Sequence, residues 1–95
     1  MAIQSFLDPR CEAIFDGGNP GKGFPADLIR PTKRKLEMFH AAAVLDDLRS
    51  PPGNRLEALK DDRLGQHSIR VNDQFRLCFV WTPAGPAEVE FTDYH

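Results

Sequence analysis

Residues 66–81 read Gln66-His67-Ser68-Ile69-Arg70-Val71-Asn72-Asp73-Gln74-Phe75-Arg76-Leu77-Cys78-Phe79-Val80-Trp81, and their pattern decides the fold. An alternating polar and apolar stretch is followed by Asn72-Asp73-Gln74 and then by the most hydrophobic run of the chain. β-Branched and aromatic runs around a short Asn/Asp turn predict a β-hairpin. Successive strand side chains point to opposite faces. Ile69 and Val71 therefore share one face and Ser68 and Arg70 the other. In the second run Phe75, Leu77, Phe79 and Trp81 point one way, and Arg76, Cys78 and Val80 the other. Turning both apolar sets onto one core places Arg70 and Arg76 together on the opposite face. That requires an odd loop, such as the three residues 72–74. A two-residue Asn72-Asp73 turn suits common hairpin chemistry but sets Arg76 beside Ile69. Core burial decides for the three-residue loop.

Working outward, residues 87–92 alternate as a final strand after a turn at 83–86, and deliver Asp93, Tyr94 and His95. Upstream, residues 54–59 read as an extended strand and 61–65 as a loop into the hairpin. Ser50-Pro51-Pro52-Gly53 stops a short helical turn at 44–48. Residues 26–43 carry Leu28, Ile29, Leu36, Phe39, His40 and Ala43 at near-helical spacing, with Lys33, Arg34, Lys35 and Glu37 on the other side. Pro31 removes a backbone donor, so a first turn over 25–30 and a restart of the main helix at Pro31 are expected. Asp8-Pro9 is an N-cap followed by proline at the first helical position. It opens a helix with Cys11, Ile14 and Phe15 on one face, closed by the Gly-rich stretch 16–21. Residues 3–6 are read as a first or edge strand. The order β-α-α-β-β-β-β, with helices segregated before a meander, predicts an α+β fold with two N-terminal helices on a mainly antiparallel β-sheet.

Ninety-five residues make one small domain, 1–95. A chain of this size buries roughly 60–65% of its unfolded surface, which leaves little room for a ligand cavity. No apolar run approaches the ~20 residues of a membrane helix. Residues 1–6 lack the basic and apolar regions of a signal peptide, so a cytoplasmic protein without membrane association is expected. Cys11 and Cys78 are too few for a disulfide framework and match no metal spacing; two reduced structural thiols, no metal and no cofactor are expected. The net charge of −2 argues against a general nucleic-acid binder. Its distribution argues otherwise. Residues 22–35 set Lys22, Arg30, Lys33, Arg34 and Lys35 against Asp27 alone. Residues 49–76 set Arg49, Arg55, Lys60, Arg63, Arg70 and Arg76 against Glu57, Asp61, Asp62 and Asp73. Local fields are then basic while the total is acidic.

The chemistry-bearing candidates lie in the second half: Lys60, Arg70, Arg76, Asp93, Tyr94 and His95, with Glu57 beside them. Cations held on a rigid sheet fix a phosphate and stabilise the added charge of its transition state. A nearby Asp or His moves a proton. Together these are the groups that cleaving RNA through its own 2′-hydroxyl calls for, a reaction that needs no metal. Plain readings stand beside each candidate. Arg70 and Arg76 can pair with Glu88 and Glu90, Asp93 can cap or pair with an arginine, and His95 is a terminal residue. His40 reads as packing, His67 as surface, Phe75 and Trp81 as core, and Lys33-Arg34-Lys35 as a solvated helix face.

The block 47–60, Asp-Leu-Arg-Ser-Pro-Pro-Gly-Asn-Arg-Leu-Glu-Ala-Leu-Lys, resembles the HigB branch of the RelE/ParE toxin superfamily. So do residues 65–79 and the terminal Asp93-Tyr94-His95. The N-terminal half shares the element order and the Arg34-Lys35-Leu36 register. The resemblance implies a RelE-like, microbial-RNase-type fold. It implies a toxin of a type II toxin–antitoxin module that cuts mRNA in the ribosomal A site. Its partners would be a helix-turn-helix, HigA-like antitoxin, the ribosome and mRNA, with operator DNA reached only through the antitoxin. Lys60 and Arg76 would contact the scissile phosphate, and Asp93, Tyr94 and His95 would supply acid/base chemistry or orient the RNA. Arg76 would therefore approach Asp93-Tyr94-His95. Arg70, Glu57, Arg55, Lys33, Arg34 and Lys35 would be RNA contacts, the helical trio together with Arg30 toward ribosomal RNA. Some members carry histidine where this chain has Glu57, which moves the weight of proton transfer onto His95 and Asp93. The ParE branch shares the fold but poisons a topoisomerase, and a plain RNA-binding module is the third reading.

Overall fold

The hairpin strands, β2 (His67–Arg70) and β3 (Phe75–Thr82), pair His67 with Phe79, Ser68 with Cys78, Ile69 with Leu77 and Arg70 with Arg76. This is the register that core burial demands, and it puts both arginines on one face. The computed structural model describes residues 2–93. The loop 72–74 is closed by the Val71 N–H on the Phe75 carbonyl (3.0 Å). The Asn72 side chain accepts from the Gln74 and Phe75 N–H groups at 2.9 and 2.7 Å, which is why asparagine suits this turn.

Two further strands complete an antiparallel sheet of order β1-β2-β3-β4, with β1 at Glu57–Ala58 and β4 at Gly85–Asp93. Strand β1 is shorter than the extended stretch expected over 54–59. A 3₁₀ turn at Pro52–Asn54 precedes it, and Arg55, at φ +46°, breaks the extension. Along β3 and β4, Cys78 pairs with Glu90 but Val80 with Ala87, so β4 carries one extra residue in a bulge where Glu88 has φ +52°. The N-terminal segment docks at that bulge. Ser5 Oγ accepts from the Glu88 N–H (2.9 Å), and the Leu7 and Asp8 N–H groups donate to the Val89 carbonyl at 3.1 Å each. The expected first strand thus reduces to one parallel bridge, Phe6 to Val89.

Helix α1 (Pro9–Phe15) begins where Asp8-Pro9 placed it, with the Asp8 carboxylate accepting from the Arg10 N–H at 3.0 Å. It ends at Gly17, whose φ of +85° suits only glycine readily. Helix α2 (Ile29–Ala41) follows a 3₁₀ turn at Ala26–Leu28. The restart therefore comes two residues before Pro31, which sits in the first turn where its missing N–H has no intrahelical partner to lose. The helix stops before Ala43.

Ile14, Leu36 and Phe39 pack on the sheet side carrying Ile69, Leu77, Phe79 and Val89, with the Phe39 and Phe79 rings 4.6 Å apart. Thr32 is buried on the same helix, whereas His40 is exposed and flanks Phe15. His67 is half-buried and stacks on Phe79, rather than lying at the surface. Phe75 and Trp81 pack against the core as expected. Both cysteines are free and buried; burial pushes the Cys11 thiol up to about 12 and raises that of Cys78. Among the described residues no helix is long and apolar enough to cross a membrane.

Candidate functional site

Strand β3 presents Arg76 on the face away from the helices, directly opposite Arg70. Its guanidinium is oriented by neutral oxygens. Nε donates to Ser68 Oγ at 2.7 Å, and Nη2 donates to the Arg55 carbonyl at 2.6 Å and more weakly to the Ser68 carbonyl at 3.4 Å. Glu57 stands beside it, one carboxylate oxygen 3.7 Å from Nη2. The Arg76 side chain is 12% exposed, while that of Glu57 is 51% exposed. Hydroxyl and carbonyl acceptors fix the cation without cancelling its charge. The Glu57 carboxylate lies beyond hydrogen-bond range and half in water, where its attraction is screened. The plain alternative, pairing with Glu88 and Glu90, does not form among the described residues: Glu90 accepts from Arg63 at 3.0 Å, and Glu88 sits exposed in the bulge.

The Arg55 carbonyl is supplied by the turn before β1. Asn54 is fully buried there, its Nδ2 donating to the Leu48 and Ser50 carbonyls at 3.1 and 3.3 Å. Its Oδ1 accepts from Lys35 Nζ, reaching over from α2. Burial lowers the Lys35 pKa, and the nearby Arg34 and Arg70 lower it further. Arg70 pairs with the exposed Asp73 of the hairpin loop. Arg34, Lys35, Arg70 and Arg76 thus form a cationic quarter around the Asn54–Arg55 turn, suited to oxyanions such as backbone phosphates.

Residues 4–95 match the family model described as RelE-like toxin of type II toxin-antitoxin system HigB. The chain belongs to the HigB family of RelE-like toxins. Toxin HigB-1 of Vibrio cholerae serotype O1 is 39% identical over 95 residues, covering 100% of this chain and 98% of that protein. A Haemophilus influenzae protein is 37% identical over 78 residues, covering 82% of this chain and 77% of its own length. As a type II toxin, the protein has an antitoxin partner.

The toxin does not bring all the expected residues together. Asp93 pairs in register with Phe75, on the helix-side parity, and its carboxylate accepts from Gln74 Nε2 at 3.0 Å. The β4 neighbour of Arg76 is Thr92. The expected approach of Arg76 to Asp93 therefore does not occur on the sheet face, because period-two alternation puts adjacent residues on opposite sides. Tyr94 and His95 lie outside the described residues. Lys60 is exposed, beyond the Ala58–His67 pair of β1 and β2, and caps the 3₁₀ turn Asp61–Arg63; no hydrogen bond or ion pair joins it to Arg76 among the described residues. Glu57 faces Arg76 itself, and Arg55 meets it through its backbone. Lys33 is half-buried and Arg34 exposed on α2. Sequence reasoning missed Ser68 and Asn54. Ser68 was legible as the small hydroxyl on the arginine face of β2, two positions before Arg70. Asn54 carried only the weak signal of an asparagine after glycine.

Proposed function

We propose that this toxin is a ribosome-dependent endoribonuclease that cleaves mRNA in the A site and so inhibits translation in the cytoplasm. The observation that carries the reading is the Arg76 guanidinium, immobilised on a sheet face by Ser68 and the Arg55 carbonyl with its charge largely uncancelled. Such a preorganised cation stabilises charge that develops on a phosphorane, and does so without reorganising during reaction. In the reaction the 2′-oxygen loses its proton and attacks the adjacent phosphorus. The P–O5′ bond breaks, leaving a 2′,3′-cyclic phosphate and a protonated 5′-hydroxyl. Asp93 or His95 takes the first proton and the other assists the leaving oxygen, Asp93 acting from the end of β4 rather than across the sheet face from Arg76; Tyr94 orients the nucleotide, and Lys60 shares the phosphate with Arg76. No step needs a metal. Arg70, Arg55, Lys33, Arg34 and Lys35 hold RNA backbone, while Glu57 tunes Arg76. The partner that silences the toxin is a helix-turn-helix, HigA-like antitoxin, which alone contacts operator DNA.

The test is to incubate the toxin with translating ribosomes and map mRNA 5′ ends. Cuts located within codons, reduced on the order of 10²–10³-fold by Arg76→Ala, are expected. Intact mRNA together with inhibited DNA supercoiling overturns the reading in favour of topoisomerase poisoning.

A further inference from the structure

A carbonyl is only as well placed as the backbone that carries it, and the carbonyl that orients Arg76 belongs to a residue in a disfavoured conformation. Arg55 has φ +46° and ψ +55°, the left-handed region that non-glycine residues rarely adopt. Its surroundings impose it. The Asn54 N–H donates to the Pro51 carbonyl (2.9 Å) and the Arg55 N–H to the Pro52 carbonyl (3.1 Å). From inside the turn, Asn54 Nδ2 ties down the Leu48 and Ser50 carbonyls. Its Oδ1 takes the Lys35 ammonium, fastening the turn to α2. An amide is the only small side chain with two donors and an acceptor in one plane; aspartate lacks the donors and leucine lacks everything. Backbone strain over-determined by buried hydrogen bonds marks a place where geometry is held for a purpose.

We propose that Asn54 is a positioning residue of the cleavage site. It holds Arg55 left-handed so that the Arg55 carbonyl aims the Arg76 guanidinium, and it sets Lys35 on the same frame. This rests on the endonuclease reading above. It also divides the roles of Arg55: the backbone serves the chemical step, and the side chain is dispensable for it.

Two substitutions separate backbone from charge. Arg55→Gly and Arg55→Val both remove the cation, but glycine adopts the left-handed conformation freely and valine resists it. With translating ribosomes and mRNA, both variants are expected to raise KM alike through the lost phosphate contact, while kcat for Arg55→Val is expected to fall about tenfold below that of Arg55→Gly, because a misplaced catalytic group costs turnover rather than binding. A second readout needs no substrate. In the free, ¹⁵N-labelled toxin the Arg76 Nε–H signal is expected to be slow to exchange, to stay so in Arg55→Gly, and to exchange rapidly in Arg55→Val and Asn54→Ala. Equal kcat in the glycine and valine variants overturns the proposal, as does an Arg76 signal unchanged in Arg55→Val. Should Asn54→Ala not fold, the Arg55 pair decides alone. If the wild type leaves mRNA intact while the Arg76 signal follows the expected pattern, the endonuclease reading fails and the positioning frame stands.

Discussion

On the helix side of the sheet, Ile69, Leu77, Phe79 and Val89 are fully buried by packing against α1 and α2. On the other side Ser68 and Cys78 reach the same burial by a different route. Ser68 lies beneath Arg76, which bonds both its hydroxyl and its carbonyl. Cys78 stands beside Glu90, which accepts from Arg63 in the segment that returns after β1. The outer face is thus split. Where Arg63 meets Glu90, charge is cancelled and the face is closed. Where Arg76 meets a hydroxyl and a carbonyl, the guanidinium is held but its charge survives. Burial alone does not say whether a surface is finished; the identity of the acceptor does.

The largest effect is expected on the packed face. Phe79→Ala removes a fully buried ring that touches Phe39 and His67, and is expected to cost about 3–5 kcal/mol by transfer and cavity terms together. Urea unfolding measures it. Arg76→Ala, expected to slow the proposed cleavage on the order of 10²–10³-fold, should shift the urea midpoint much less. If both substitutions unfold the protein equally, the outer face is structural and the contrast drawn between the faces is broken.

A smaller effect is expected at the free edge of β4, where side chains stand in for a neighbouring strand. The Asp8 carboxylate accepts from the Phe91 N–H (3.2 Å), and Arg10 Nη2 donates to the Phe91 carbonyl (3.3 Å). The two side chains are joined by bonds of 3.0 and 2.8 Å, and the guanidinium packs over the Phe24 and Phe91 rings. Burial would raise the Asp8 pKa, but Arg10 and the backbone N–H groups of Arg10 and Phe91 outweigh it and hold it below the ordinary 3.8. The folded value lies below the unfolded one. The stabilisation is therefore complete above about pH 4 and is lost as pH falls through the folded value. Asp8→Asn is expected to cost about 1–3 kcal/mol at pH 7 and to flatten the acid limb of the stability curve. An acid limb identical to that of the wild type would show that this edge is not held by charge.

The hairpin register, the shared face of Arg70 and Arg76 and the capped start of α1 were legible because hydrophobic alternation and the Asp8-Pro9 pair are local signals that the core reinforces. The N-terminal strand and β1 were overread. Phe6 and Val89 meet at a bulge that no local pattern announces, and Arg55 leaves the extended region because of bonds made by Asn54, its neighbour. The site followed the same division. Arg76 was legible as a cation set in a strand. Two of its acceptors were not, since they are backbone carbonyls, which every residue carries. The bulge displaces β4 by one residue between Cys78 and Val80, so strand counting could not fix which residues of β4 meet β3 across it.

The smallest effect separates the two arginines. Arg70 and Arg76 are Cα partners on one face, yet Arg70 is joined to an exposed loop aspartate, Asp73, and its side chain is 33% exposed. A surface pair of that kind contributes about 0–1 kcal/mol, so Arg70→Ala should leave stability unchanged. In the proposed reading Arg70 is a phosphate contact that would supply affinity without orientation. Its loss is expected to raise KM for mRNA by about three- to tenfold at low salt, with kcat unaltered, and to reduce the slope of log affinity against log salt by about one. A salt titration of steady-state cleavage reads all three quantities. A fall in kcat comparable to that of Arg76→Ala would mean that exposure and partner do not distinguish the two, and that the phosphate is gripped by the pair as a unit. A KM effect that vanishes above a few hundred millimolar salt, with kcat flat throughout, assigns positioning to Arg76 and electrostatic capture to Arg70.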